Sequence, residues 1–300
     1  MNTNFRRIIL YARHYRFNET IHATLHKLIN FLSAQSIEVM LDKETASHFT
    51  ADVPSITHAE MDPTSDLILV VGGDGSLLAA ARFAIEYNIP VIGINRGRLG
   101  FLTDILPQEM ESKLQAVIQG SYREEKRFLI QSHHQQNHEI NCIGNALNDV
   151  VLNRGQETHL IEFEVKINQQ IVSDYRADGL IIATPTGSTA YALSTGGPIM
   201  HPELNAIVII PMFSHTLSSR PLVVSGDSDI EVNISNHNEH NLTISCDGLN
   251  AASLAPGDCL RLKRHPQLLR LLHPLDYHYY DTLRIKLGWQ SHHHNNQNIE

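Results

Sequence analysis

Apolar positions along this chain follow two rhythms, one after the other. In the first 120 or so residues, short apolar runs alternate with stretches of helical period. Arg7-Ile-Ile-Leu-Tyr-Ala12 reads as a buried strand. From Asn18, an N-cap by residue type, to about Ala34, the residues Ile21, Leu25, Leu28, Ile29 and Leu32 share one helical face. Ile37 to Leu41 predicts a second strand, and residues 43–65 read mostly as loop. Leu67 to Val71 is a further strand, followed at once by a helix-like run from Leu77 to Tyr87. Pro90 to Asn95 is another strand, and a helix is expected from near Pro107 to about Ile118, ending at Gly120. Strands alternating with helices predict a parallel sheet with helices on its faces, a Rossmann-like α/β domain.

After the charged stretch Tyr122-Arg-Glu-Glu-Lys-Arg127 the rhythm changes to strict alternation. Ile161-Glu-Phe-Glu-Val-Lys-Ile167 and Asp229-Ile-Glu-Val-Asn-Ile-Ser235 each bury one face and wet the other. Asn168-Gln-Gln170 reads as a turn, and Leu242–Cys246 and Cys259–Lys263 add short strands around the turn Pro256-Gly-Asp258. The expectation is an α/β domain over residues 1–124 and an all-β, two-layer sandwich-like domain over 125–272. A C-terminal segment, 273–300, has some apolar residues at helical spacing up to Trp289. It is expected to pack back on the first domain, with a disordered end.

Composition narrows the class. A hydrophobic fraction of 42% supports real cores, and a net charge of −9 argues against a nucleic-acid binder. Three cysteines without CxxC spacing point to a reduced compartment rather than a disulfide scaffold. The N-terminal apolar run is too short for a signal peptide, and no window has the length of a membrane span. The expected address is cytoplasmic, with no membrane partner.

The candidate chemistry begins at Asp66-Leu-Ile-Leu-Val-Val-Gly72-Gly-Asp74-Gly75-Ser76. A buried strand ends in three glycines around one aspartate, and a helix follows. Glycine lets the backbone turn sharply and approach a ligand. The amides of Gly75 and Ser76 are expected at the helix N-terminus, where unpaired N–H groups and the helix dipole favour phosphate. Asp74 then stands beside phosphates although it is anionic, which suits an acceptor of a hydroxyl proton or a holder of a metal ion. The segment is no Walker A loop, since no Gly-Lys-Ser/Thr follows, and the Gly-x-Gly-x-x-Gly spacing of a dinucleotide fingerprint is absent. The reading is phosphoryl transfer to a hydroxyl group; the bland alternative is a tight strand-to-helix turn. The loop Arg96 to Gly100 also follows a strand, so both loops sit where open parallel sheets bind ligands.

A second constellation is Asp178-Gly-Leu-Ile-Ile-Ala-Thr184-Pro-Thr-Gly-Ser-Thr-Ala-Tyr191-Ala-Leu-Ser194. An apolar strand runs into a dense series of glycine and small hydroxyl residues, which offers short donors at close range. Tyr191 supplies an aromatic face for a base. Ser188 lacks the Gly-x-Ser-x-Gly elbow of a nucleophile.

Six segments in order resemble a bacterial NAD kinase: Gly72–Gly75; Gly93–Gly97 with Leu99–Asp104; Asn148-Asp149; Thr184–Tyr191; Pro211–Leu217; and His273-Pro-Leu-Asp276-Tyr. The resemblance runs from about residue 5 to Trp289. It implies transfer of the γ-phosphoryl of ATP, or in some members of polyphosphate, to the adenosine-ribose 2′-hydroxyl of NAD. By the same resemblance Asp74 is the proton acceptor, with Gly75 beside it at the nucleotide. Asn148 is implied to bond adenine and Asp149 to address a ribose. His159, Arg176 and Asp178 match further NAD-site positions. Thr189, Ala190, Tyr191, Ala192, Leu193 and Ser194 surround adenine, with Tyr191 and Ser194 the direct contacts. The resemblance also implies a homotetramer or other homo-oligomer, with part of each site supplied by a neighbouring subunit.

Two positions depart from that pattern. Asp149 stands where the family usually has Glu, so its carboxylate is drawn back by about an ångström and contact through water is expected. Cys246-Asp247 is followed by Gly248-Leu249-Asn250, and Leu249 has no side-chain donor or acceptor to replace the family's usual Gln. A divalent cation, Mg²⁺, is expected on the phosphates and water rather than in a protein cage. His133-His134 with His138, and His292–His294, read as solvated loop and tail; His215 reads as structural and Cys246 as a core thiol. Arg96 and Arg98 suit either phosphate or a surface ion pair. The rival functions are a lipid or sphingoid-base kinase, which needs a long apolar acceptor pocket, and a catalytically silent dinucleotide sensor.

Overall fold

The computed structural model describes residues 5–13, 19–49, 51–64, 66–97, 99–136, 139–155, 159–215 and 218–289. Asn18, Arg98, His138 and the histidines of the C-terminal tail lie outside the described residues. The chain forms two compact units: Met1–Glu125 with Leu269–Glu300, and Lys126–Leu268.

The first unit begins with β1 (Arg7–Tyr11), α1 (Glu19–Ala34), β2 (Glu38–Asp42), α2 (Lys43–Ala46), β3 (Ser55–Ile56), β4 (Asp66–Val71), α3 (Asp74–Glu86), β5 (Val91–Ile94) and α4 (Met110–Ile118). The strands pair in the order β3-β2-β1-β4-β5, all parallel. Strand order therefore reverses between β1 and β4, and the Gly72–Gly75 turn leaves the carboxyl end of β4 at that switch point, where open α/β sheets bind ligands. All six residues of β4 are buried, as a strand covered on both faces requires. Ile21, Leu25, Leu28 and Leu32 of α1 join Ile8, Leu10, Leu67 and Leu69 in one core.

Two local expectations are corrected here. Residues 43–46, read as loop, form α2, because Asp42 caps the amides of Glu44 and Thr45. The helix after the glycine turn starts at Asp74 rather than Leu77, with Gly73 as its N-cap.

The second unit follows with β6 (Tyr122–Gln136), β7 (Glu139–Ala146), β8 (Asp149–Asn153), β9 (Ile161–Ile167), β10 (Gln170–Ala177), β11 (Gly179–Ala183), α5 (Tyr191–Ser194), β12 (Ala206–Met212), β13 (Leu222–Ser225), β14 (Ile230–Ile234), β15 (Leu242–Cys246), β16 (Leu249–Leu254) and β17 (Cys259–Pro274). One antiparallel layer runs β13-β12-β11-β8-β15-β16, and the other runs β10-β9-β14-β17. Val150, Leu152 and Ile182 from the first layer share a core with Phe163, Val165 and Val232 from the second. This is the two-layer arrangement that the alternating pattern predicts. Asn168 and Gln169 turn the chain between β9 and β10, both at positive φ (50° and 68°), as a tight two-residue hairpin turn demands.

His133 and His134 are not loop residues. They lie in β6, paired with Cys142 and Asn141 of β7, and His134 Nε2 is 2.8 Å from Asp258 Oδ2. The end of β17 belongs to the first unit, where Leu271 pairs with Val91 of β5. The tail then forms α6 (Tyr279–Leu287) and stops at Gly288, whose φ of 65° makes a left-handed cap. Among the described residues no helix is long and apolar enough to cross a membrane.

Candidate active site

The glycine turn is built for close packing under the first turn of α3. A Cβ on Gly72 would overlap the hydroxyl of Ser76 and lie 2.7 Å from its Cβ. Ser76 is buried beneath the turn, and its amide donates to Gly73 O at 2.8 Å. That amide is therefore already used, contrary to the expectation that it faces a phosphate. Gly75 stands in the first turn of the helix, and its carbonyl accepts from Arg13 Nη1 at 3.0 Å.

The Asp74 side chain is held by four hydrogen bonds. Its Oδ1 accepts from Leu102 N (3.0 Å), Thr103 N (3.2 Å) and Thr103 Oγ1 (3.2 Å). Its Oδ2 accepts from Phe101 N at 2.9 Å. A carboxylate has about four acceptor positions, two on each oxygen, so Oδ2 is the atom with capacity for a further donor. The gripping loop is itself tied down. Asn95 Nδ2 donates to Thr103 O (3.2 Å) and Thr103 Oγ1 (2.9 Å), and Asn95 Oδ1 accepts from Gly97 N at 2.9 Å. Gly100 N donates to Thr103 O at 3.0 Å, and a Cβ on Gly100 would overlap Asp74 Oδ1. The loop after β5 thus serves Asp74 through three backbone amides and the Thr103 hydroxyl, while Arg96 lies partly buried within it.

In the second unit the predicted residues fall into two groups. Asn148 and Asp149 meet the Thr184–Ser194 segment. Thr184 N donates to Asn148 O at 2.9 Å, and Thr184 Oγ1 donates to Leu147 O at 2.5 Å. A Cβ on Gly187 would lie 2.6 Å from Asn148 Cα, so only glycine allows this approach. Thr189 and Ala190 lead into α5, where Tyr191 is 47% exposed, Ala192 is buried, Leu193 is half-buried and Ser194 is exposed. The Asp149 carboxyl is buried, and burial together with the charge of Asp247 pushes its pKa up to about 7, opposed by a hydrogen bond from the Tyr191 amide.

Asp247, which the sequence marks only as part of the Cys246-Asp247 pair, fastens this segment. Its carboxylate accepts from Leu147 N (2.9 Å), Asn148 N (2.7 Å) and Asp149 N (3.3 Å), fixing the segment that presents Asn148. The signal was the Cys246-Asp247-Gly248 step, where both Asp247 and Gly248 adopt positive φ (50° and 73°).

The second group sits at the other end of the β8–β11 pair. Asp149 opposes Ala183 at one end, and Asn153 opposes Gly179 at the other. Four residues of strand, about 14 Å at the usual rise, separate them. Asp178 bonds Arg154 Nη1 at 2.9 Å. His159 and Arg176 line a pocket with Arg154, Glu162, His237 and His240. His215 is exposed, and its backbone amide donates to Arg176 O at 3.0 Å.

An α/β unit whose glycine turn carries a firmly held carboxylate, followed by a β unit with a run of glycine and small hydroxyl residues, has the build of a phosphotransferase. Comparison with known proteins agrees. Residues 8–122 match the ATP-NAD kinase N-terminal domain, and residues 147–273 match the ATP-NAD kinase C-terminal domain. An NAD kinase of Legionella pneumophila (strain Corby) is 59% identical over 293 residues, covering 98% of this chain and 99% of that protein. An NAD kinase of Pseudomonas putida (strain KT2440) is 51% identical over 269 residues, covering 89% and 91%. In fold, a yeast NADH kinase complexed with NADH superimposes with a TM-score of 0.84 at 24% identity, covering 100% of this chain and 90% of that one. The chain belongs to the NAD kinase family, phosphotransferases with an alcohol acceptor.

Proposed function

We propose that Asp74 accepts the proton of the NAD 2′-hydroxyl as the phosphoryl group arrives, and that Asn148, Asp149 and Thr189–Ser194 hold the adenosine. The overall reaction is the ATP-dependent phosphorylation of NAD to NADP. The observation that supports the assignment of Asp74 is its grip by four donors, with Oδ2 engaged by one of them. In phosphoryl transfer the protein mainly positions and neutralises. A carboxylate is too weak a base to ionise a free alcohol beforehand, but it orients the hydroxyl and takes its proton late, as the new O–P bond forms.

Among the described residues there is no group of three or more His, Cys, Asp or Glu side chains placed to hold a metal ion. A Mg²⁺ ion, where one binds, would be held mainly by phosphate and water and would neutralise the phosphates that repel the acceptor oxygen. ATP is the donor of this reading, and polyphosphate is the donor to test beside it. Three free cysteines suit a cytosolic enzyme.

The assembly is proposed to be a homo-oligomer, with the His159–Arg176–Asp178 group completing the site of a neighbouring copy. Its separation from Asn148 along β8 supports this, as do exposed apolar residues on the edge strands: Ile171 on β10, and Val223 on β13. Incubating the protein with NAD, Mg²⁺ and either ATP or polyphosphate, with NADP as the readout, tests donor and metal; no NADP with either donor would sink the reading. Tyr191→Ala is expected to weaken NAD binding by roughly 1–3 kcal/mol, the value of a base–aromatic stack. Unchanged NAD affinity by calorimetry would remove Tyr191 from the adenine site.

A further inference from the structure

We propose that a buried His273–Asp104 pair is the device that positions the Asp74 carboxylate; the proposal rests on the reading of Asp74 as proton acceptor. Asp104 directly follows Thr103, whose amide and hydroxyl both bond Asp74 Oδ1. Asp104 Oδ2 lies 2.7 Å from His273 Nδ1, and His273 is fully buried. A carboxylate offers no proton, so Nδ1–H donates. The imidazole is stacked on Tyr277, with ring centroids 3.9 Å apart and planes at 9°. Its Nε2 is 3.6 Å from Glu125 Oε2, beyond hydrogen-bond reach.

Among the described residues, Asp104 Oδ1 and His273 Nε2 are both buried without a hydrogen-bond partner. A buried ionic pair in which one polar atom of each partner lacks a hydrogen bond is a poor stabiliser compared with packed apolar side chains. Its placement accounts for it. Thr103 is held from one side by Asn95 and from the other, through the chain, by Asp104 on His273. Those anchors fix where the amides of residues 101–103 point, and the amides fix Asp74. His273 touches neither Asp74 nor the reacting atoms, so it is a positioning residue rather than a catalytic one.

The test measures kcat, KM for NAD and melting temperature in the full-length protein. His273→Ala is expected to lower kcat about 10- to 100-fold, the scale of a misplacement near 1 Å, with KM for NAD within about twofold. His273→Asn puts an amide donor near the old Nδ1, whereas His273→Gln puts it near the old Nε2. Asn is therefore expected to retain clearly more kcat than Gln. A folded Ala variant with kcat within about twofold of the parent overturns the proposal, as does equal kcat for the Asn and Gln variants. If only the Ala variant fails to fold, the Asn–Gln comparison decides; if all three fail, the pair belongs to stability and the proposal falls. An Asp74→Asn arm separates the two readings: activity surviving there removes Asp74 as acceptor, while loss there with an unaffected His273→Ala removes only the positioning role.

Discussion

Replacing Asp74 with Asn is expected to lower kcat by about 10²- to 10⁴-fold, the usual worth of a positioned proton acceptor, while NAD affinity changes little. Asn cannot take the hydroxyl proton. Its amide also places an NH₂ where the carboxylate had only acceptors. With the NH₂ in the Oδ2 position it opposes the Phe101 amide; with it in the Oδ1 position it opposes Leu102 N, Thr103 N and Thr103 Oγ1. The first orientation leaves one donor–donor clash and the second leaves two with backbone amides, since only the Thr103 hydroxyl can turn to accept, so the first is favoured. It directs a donor at the acceptor hydroxyl, which is the wrong polarity for the reaction. Steady-state assay of NADP formation, with calorimetry of NAD binding, checks both halves. A variant turning over near the parent rate would show that another group takes the proton.

Asp74 is singled out as the candidate carboxylate by the sequence alone, because three glycines after a buried strand mark a turn suited to approaching a ligand. What holds it was not legible there. The donors come from Phe101, Leu102 and Thr103, 27 to 29 residues downstream, and backbone amides leave no trace in residue type. Helix α3 starts earlier than the apolar period suggests because Asp74 and Gly75 carry no hydrophobic signal, although an acidic first turn suits a helix N-terminus. His133 and His134 were read as loop because Gln and Asn surround them; their strand is fixed by pairing with β7, a tertiary fact. The pairing of Asp104 with His273, 169 residues apart, was equally invisible, since neither residue lies in a pattern that names its partner.

In the second unit the polar run at Thr184–Ser194 was read for its donors, yet several of those donors are spent inside the fold. Thr184 Oγ1 bonds Leu147 O, and Ser188 Oγ bonds Pro185 O at 2.7 Å. What they secure is the approach to Asn148, and that leaves Tyr191 and Ser194 as the exposed side chains of α5. Asp149 follows the same rule. The family resemblance implies a ribose contact for it, while its burial beside Asp247 and the Tyr191 amide makes it also a link between the two segments.

Gly100→Ala is the second large effect, expected to lower kcat by about 100-fold through displacement rather than loss of the acceptor. The new methyl group would overlap Asp74 Oδ1 and lie 2.5 Å from Thr103 Oγ1. Something must shift, and the two neighbours differ in freedom from an ordinary surface side chain. Asp74 is held by four donors, and Thr103 is held in turn by Asn95. Removing a glycine restricts the unfolded chain, a stabilising effect of about 0.4–1 kcal/mol where the backbone permits it. Overpacking of a fixed site costs about 1–3 kcal/mol, so steric strain wins and the melting temperature should fall. Gly97→Ala is the matched control in the same loop, since a Cβ there meets nothing within 4 Å. If Gly100→Ala acts through Asp74, combining it with Asp74→Asn should add little further loss, because residues that act as one unit are not additive. A full multiplicative loss in the double variant would instead assign Gly100 a role of its own, independent of the carboxylate that it borders.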